Sequence, residues 1–201
     1  MTCQPLADPA VSLPQGLAIA PGALDEAECG RLVTFFEAAR AAGAGRDGGL
    51  AGGAGDAGIR RSEIVWLTDG PETGWLVMRM AELAGRLNRE VFGFTLSGFD
   101  EEFQIARYGE ASAGFYDWHV DRAGRGAAAR RRKLSISIQL SPPDAYEGGA
   151  LEFNLDGHVR AAPREAGTAV AFPAWGLHRV APVTRGRRDS LVTWLHGPDF
   201  A

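Results

Sequence analysis

The chain has 201 residues, 45% of them hydrophobic and 23% charged, a composition expected of one soluble globular domain with a sizeable core. Its 21 Lys and Arg against 25 Asp and Glu give a net charge of −4, so no overall basic excess points to nucleic acid. Two cysteines, Cys3 and Cys29, are too few for a disulfide framework, no basic and then apolar leader opens the chain, and no apolar run is long enough for a bilayer, so a cytoplasmic protein is expected.

Met1 to Pro21 is a Pro-bearing lead-in whose Leu17-Ala18-Ile19-Ala20 segment is a candidate first strand. Asp25 and Glu28 are spaced as a capping box, and Cys29, Leu32, Phe36 and Ala39 recur at three- and four-residue intervals, which predicts a helix with one buried face. Residues 43–58 are dominated by Gly, Ala and Asp and carry too little apolar surface to fix themselves; a mobile loop is expected, either a surface insertion or a lid over substrate. Arg60 to Leu67 reads as a strand, with Arg60 and Arg61 either solvated or reaching the mouth of a site. Pro71 to Phe92 reads as a second helix, with Leu76, Met80, Leu83, Leu87 and Val91 on one face.

After Gly93 the pattern changes to short strands separated by Gly, Pro and Asp. The candidates are Glu102 to Tyr108, Tyr116 to Asp121, Lys133 to Leu140, Ala150 to Phe153, Val159 to Ala162, Ala169 to Phe172, His178 to Pro182 and Ser190 to His196. Two helices ahead of a run of strands imply a sheet whose outer face is covered by helices, an α+β but mainly β chain. In Leu134 to Leu140, alternation puts four aliphatic residues on one face and Ser135, Ser137 and Gln139 on the other, which faces either a polar cavity or water.

Tyr116-Asp117-Trp118-His119-Val120-Asp121 carries the chemistry. In an extended strand residues two apart point to the same side, so His119 and Asp121 can present an imidazole and a carboxylate to one point. Such a pair also occurs on ordinary surfaces; a third donor from His178 would complete a two-histidine, one-carboxylate facial triad, which leaves metal positions open. On the last strand Arg188, Ser190, Val192, Trp194 and His196 share a face, and a guanidinium buried there requires an anionic partner, most simply a carboxylate bound bidentately. Arg187 falls on the opposite face and Arg185 in the preceding turn. The basic run Arg122, Arg125, Arg130, Arg131, Arg132, Lys133 reads as a solvated loop or as an attractor for an acidic partner, His158 as solvent-facing, and His196 as packed or at the surface.

The segment from Gly167 through His178 and Arg188 to Trp194, with Tyr108-Gly109 and Glu147-Gly148-Gly149-Ala150-Leu151-Glu152-Phe153, resembles the Fe(II)/2-oxoglutarate dioxygenases, specifically the prolyl 4-hydroxylase-like branch. The resemblance runs from about Phe94 to Pro198 and implies a double-stranded β-helix, a cupin-like jelly roll. It implies a single domain over 1–201, with a helical support in 1–93 and a jelly-roll core in 94–198. It implies Fe(II) on His119, Asp121 and His178, 2-oxoglutarate held by Arg188 and Tyr108 with Gln139 and Ser190 alongside, O2 as oxidant, and stimulation by ascorbate. Arg60, Arg61, Trp118 and Trp194 are the candidate substrate contacts. The implied reaction hydroxylates an unactivated carbon of a prolyl or other residue in a peptide or protein, or of an amino-acid-like small molecule, releasing succinate and CO2, with neither nucleic acid nor membrane as a partner. An AlkB-like nucleic-acid demethylase, a zinc hydrolase and a non-catalytic cupin-like ligand-binding protein are the alternatives.

Overall fold

Strands whose apolar residues alternate fold into two facing antiparallel sheets, described in this computed structural model over residues 11–13, 16–48, 57–68, 70, 73–123 and 131–198. The first half of the chain contributes β1 (Val11–Leu13), β2 (Leu17–Ala20), α1 (Glu26–Ala41), β3 (Arg46–Asp47), β4 (Arg60–Arg61), β5 (Glu63–Leu67) and α2 (Gly74–Leu87). The second half contributes β6 (Phe103–Gly109), β7 (Phe115–His119), β8 (Arg132–Gln139), β9 (Tyr146–Gly148), β10 (Leu151–Asn154), β11 (Val159–Ala161), β12 (Ala169–Pro173), β13 (His178–Val180) and β14 (Val183–His196). The major sheet runs β1-β2-β12-β8-β14-β6-β5-β3, with β9 on the early part of β14; the minor sheet runs β11-β10-β13-β7-β4.

Alternation along β8 sorts the two sides of the major sheet. Leu134, Ile136 and Ile138 pack outward with Ile105 and Leu191 against α1 and α2, where Leu32, Phe36, Leu76, Met80 and Leu83 form the other half of one core. Ile64, Ala106, Tyr108, Val170 and Phe172 point inward and meet Leu151, Phe153 and Val180 of the minor sheet in a second core. Helices on one outer face and a second core between the sheets make this the expected jelly roll.

The capping box forms as its spacing predicts: the Asp25 carboxylate accepts from the Glu28 amide at 2.7 Å, and Glu28 accepts from the Asp25 amide at 2.9 Å. Glu28 also pairs with Arg79 of α2 at 2.9 Å in a buried ion pair that ties the helices to each other, and Arg107 of β6 pairs with Asp189 of β14 and with the partly exposed Glu37 of α1, which ties that helix to the sheet.

Several elements depart from expectation for reasons of pairing. The segment from Arg60 to Leu67 is two strands, because β4 pairs with β7 in the minor sheet and β5 with β6 in the major one, so the chain changes sheets at Ser62. The second helix is α-helical only to Leu87; Asn88–Phe92 is a π-helical turn, closed by Gly93 in the left-handed region at φ 65°. Within the Gly-rich stretch Arg46 and Asp47 form β3 on β5, so this part is paired rather than mobile, while residues 49–56 and the lid expectation on them lie outside the described residues. The last strand begins at Val183 because β9 and β6 extend the ladder ahead of Ser190. In the basic run Arg132 and Lys133 are buried in β8, which overturns the solvated-loop expectation for these two; Arg131 stays exposed and pairs with Asp100 at 2.6 Å, and Arg125 and Arg130 lie outside the described residues.

Candidate metal and co-substrate site

His178 of β13 stands directly opposite His119 of β7 in the minor sheet, with ring centroids 4.1 Å apart. Asp121 does not lie on the strand with His119: β7 ends at His119, and Asp121 opens a 3-10 turn, Asp121–Ala123. The turn, rather than strand parity, swings the carboxylate between the two rings. Its Oδ1 is 3.8 Å from His119 Nε2 and its Oδ2 is 3.8 Å from His178 Nε2. One donor atom from each of the three residues lies within 4.8 Å of the others.

The backbone sets the tautomers. His119 Nδ1 lies 2.7 Å from the Asp117 carbonyl and His178 Nδ1 lies 2.9 Å from the Gly176 carbonyl. A carbonyl only accepts, so each Nδ1 carries the proton and each Nε2 lone pair faces the common centre. Burial, then the neighbouring His178, pushes the His119 imidazole down to about 3, the neutral form a metal requires. Burial acts to raise the Asp121 carboxyl, but His178, His119, Arg132 and the Ser135 hydroxyl outweigh it and hold the group below its ordinary value. Tyr116 stacks on His119 at 3.5 Å and Phe172 lies 4.6 Å from His178, so aromatic rings wall both imidazoles. The donor set fits a six-coordinate divalent ion with a face left open.

The major sheet supplies the opposite wall. Arg188 pairs in register with Tyr108, and Ser190 with Gln139, placing all four on the inner face. Arg188 is 1% exposed, and among the described residues its Nε and Nη2 have no hydrogen-bond partner. Its Nη1 reaches Ser190 Oγ only at 3.5 Å, and its guanidinium lies 5.7 Å from the Tyr108 ring. Gln139 Oε1 is likewise buried without a partner. A buried cation with two free donors in one plane is the shape of a carboxylate site. Gly149 leaves room for it, since a Cβ there would sit 3.3 Å from Arg188 Cδ.

Of the remaining expected residues, Arg60 is buried, donates to Gln104 Oε1 at 3.0 Å and covers Tyr116 at 4.7 Å, behind the ring that stacks on His119. Trp194 is buried on the inner face, 6.1 Å from Trp66 and under the Arg132 guanidinium at 3.7 Å. Arg61 is exposed, over Phe115 at 4.6 Å. Trp118 lies under Arg179, which pairs with Glu152; both sit on the face of the minor sheet opposite His178. Arg187 turns outward to Glu37, Arg185 pairs with Glu147, His158 is exposed, and His196 is buried beside Glu101 at 2.9 Å. Sequence reasoning passed over two contacts of Asp121: Ser135 Oγ donates to its Oδ2 at 2.6 Å, and Arg132 Nη1 donates to its carbonyl at 3.4 Å. The inward parity of Ser135 with Gln139 was the available signal for the first; nothing local marks the second.

A model of the 2OG-Fe(II) oxygenase superfamily matches residues 103–196. Among curated proteins, a PKHD-type hydroxylase of Hyphomonas neptunium is 40% identical over 93 residues, 45% of this chain and 41% of that protein. A second, from Bordetella pertussis, is 42% identical over 84 residues, 40% of this chain and 37% of its own length. The chain thus spans about two fifths of the length of the curated relatives it matches. Among solved structures, a Pseudomonas putida prolyl-4-hydroxylase superposes with a TM-score of 0.75 at 24% identity, covering 90% of this chain and 93% of that one. A Trichoplax adhaerens prolyl hydroxylase, solved with a hypoxia inducible factor peptide fragment, gives 0.77 at 19% identity, covering 91% and 84%. These two likenesses establish the fold, and the family match falls on the stretch that holds the histidine pair, Asp121, Tyr108 and Arg188. In that stretch, just under half of the chain, the sequence is similar to the 2OG-Fe(II) oxygenase superfamily.

Proposed function

We propose that the chain is a 2-oxoglutarate-dependent hydroxylase acting on a prolyl or related residue of a peptide or protein, or on an amino-acid-like small molecule. One observation carries the reading: a two-histidine and carboxylate donor set faces a buried guanidinium whose Nε and Nη2 lack a partner among the described residues. A hydrolytic zinc site would have no use for that guanidinium. His119, Asp121 and His178 would hold Fe(II), which when bound supplies the coupling of O2 to oxidative decarboxylation of the 2-oxo acid and to hydroxylation of a carbon. Arg188 would take the far carboxylate of 2-oxoglutarate through its fork, with the Tyr108 ring beside it and Gln139 and Ser190 lining the same wall. The aromatic walls of Tyr116, Phe153 and Phe172 would exclude water around the ligands.

The prolyl class is supported by the names of the structural neighbours, and the hydroxylase names of the curated relatives disfavour a demethylase. Arg60, over the Tyr116 ring, and Trp194, packed near Trp66, are the substrate contacts this reading favours. Anaerobic titration of the Fe(II)-loaded protein with 2-oxoglutarate tests it: a weak visible charge-transfer band is expected, absent in His119→Ala. Tight zinc binding with no such band would overturn the assignment. Succinate release then screens peptides and amino acids, with and without ascorbate.

A further inference from the structure

We infer that Ser135 is a positioning residue that locks the Asp121 carboxylate so that it ligates through a single oxygen. This rests on the proposed metal site. Asp121 stands outside the sheet ladder, so strand pairing does not fix its carboxylate. Its Oδ2 instead accepts from Ser135 Oγ at 2.6 Å, the length of a strong hydrogen bond to a charged oxygen. Ser135 is fully buried between Phe172 and Trp194, its register neighbours on the two flanking strands, so its hydroxyl is held in place beside the carboxylate.

The turn is held from behind as well. Arg132 Nη1 donates to the Asp121 carbonyl at 3.4 Å, while Arg132 is gripped by both oxygens of Glu101 at 2.6 and 2.5 Å. The Arg122 amide donates to the Ala174 carbonyl at 2.9 Å, tying the same turn to the loop that leads into His178. With the backbone anchored, the remaining freedom of Asp121 is rotation of its carboxylate, and that is the freedom Ser135 removes. Both carboxylate oxygens lie equally close to a histidine Nε2, so an unrestrained carboxylate can turn both oxygens to the ion and close one of the positions that the co-substrate and O2 need.

The test uses Mn(II) binding to the full chain and the water-proton relaxation of the Mn(II) complex. Ser135→Ala is expected to weaken Mn(II) binding by roughly 10- to 100-fold, the usual loss when a ligand's holding group is removed. It is also expected to lower the relaxation enhancement, because a second carboxylate oxygen replaces an exchangeable water. Ser135→Thr, which restores the hydroxyl, should recover both. Ser135→Cys keeps the volume with a weak donor and should resemble the alanine variant, which keeps the test open where Ser135→Ala folds poorly. Wild-type affinity and relaxation in Ser135→Ala, or in Ser135→Cys, would overturn the inference. Failure of the wild-type chain to bind Mn(II) would instead overturn the metal site on which it rests.

Discussion

Arg188→Met keeps the volume of a buried side chain and removes its charge and its fork. Within the protein, the guanidinium loses little: one hydrogen bond at the outer limit of length, to Ser190, and a ring contact 5.7 Å from Tyr108, about 0.5–2 kcal/mol in all. Against this stands the cost of keeping a charge 1% exposed with Nε and Nη2 unpaired. In the ligand-free protein the substitution is therefore expected to leave stability unchanged or raise it by ~1–4 kcal/mol, the usual outcome when a buried charge gives way to a hydrophobic side chain. Binding of 2-oxoglutarate should collapse, since two charge-assisted hydrogen bonds at ~1.5–3 kcal/mol each are lost, which is roughly a 10²- to 10⁴-fold rise in Kd. The assays are calorimetric titration of the Mn(II)-loaded protein with 2-oxoglutarate and urea unfolding of the metal-free protein. Mn(II) affinity should not change. Arg188→Lys keeps a charge without the fork and should recover only part of the binding. Binding by Arg188→Met within about threefold of wild type, or a metal-free protein destabilised by more than about 2 kcal/mol, would refute the assignment of Arg188 to the co-substrate.

Burial acts to raise the Glu101 carboxyl, but His196 and Arg132 outweigh it and bring the group down to about 2. Its folded pKa lies below its unfolded value near 4.5, so its contribution is present above that value and lost as pH falls toward 2. Urea midpoints of wild type against Glu101→Gln should therefore converge by on the order of 3 kcal/mol across that window; parallel curves would dismiss the pairing. Gly149→Ala places a Cβ at φ 61°, 2.9 Å from Val183 Cγ2 and 3.3 Å from Arg188 Cδ; a loss of about 1–3 kcal/mol and weaker 2-oxoglutarate binding are expected, read by urea unfolding and titration. Burial pushes the Cys29 thiol up to about 11, so its alkylation, followed by peptide mass, should track unfolding; rapid labelling in the native protein would contradict its placement.

Local rules carried well where the answer is local. The Asp25 and Glu28 box, the buried stripe of α2 and the inward and outward parity of Arg188 and Arg187 depend on neighbours a few residues away, and the structure places each where its period requires. Asp121 shows the limit of such rules. A two-residue spacing predicts a shared strand face, yet the strand stops at His119, because β13 pairs only as far as that residue and the next turn is pinned by Ala174 and Arg132. Arg132 reads as one more charge in a basic run because its partners, Glu101 and the Asp121 carbonyl, are distant in sequence. The same holds at Ser62, where two sheets compete for one extended segment and each takes half.

By itself the sequence determined the helix and strand periods, the facing of the last strand, and the donor types that name a metal chemistry, since these follow from side-chain chemistry and backbone repeat. Only the tertiary structure decided that His119 and His178 meet across one ladder, that Asp121 reaches them from a turn held by Ser135, and that the Arg188 guanidinium is buried on the inner face with donors to spare. Those facts depend on which strands pair and in what register, and long-range pairing is set by the burial of all the faces at once rather than by any short stretch.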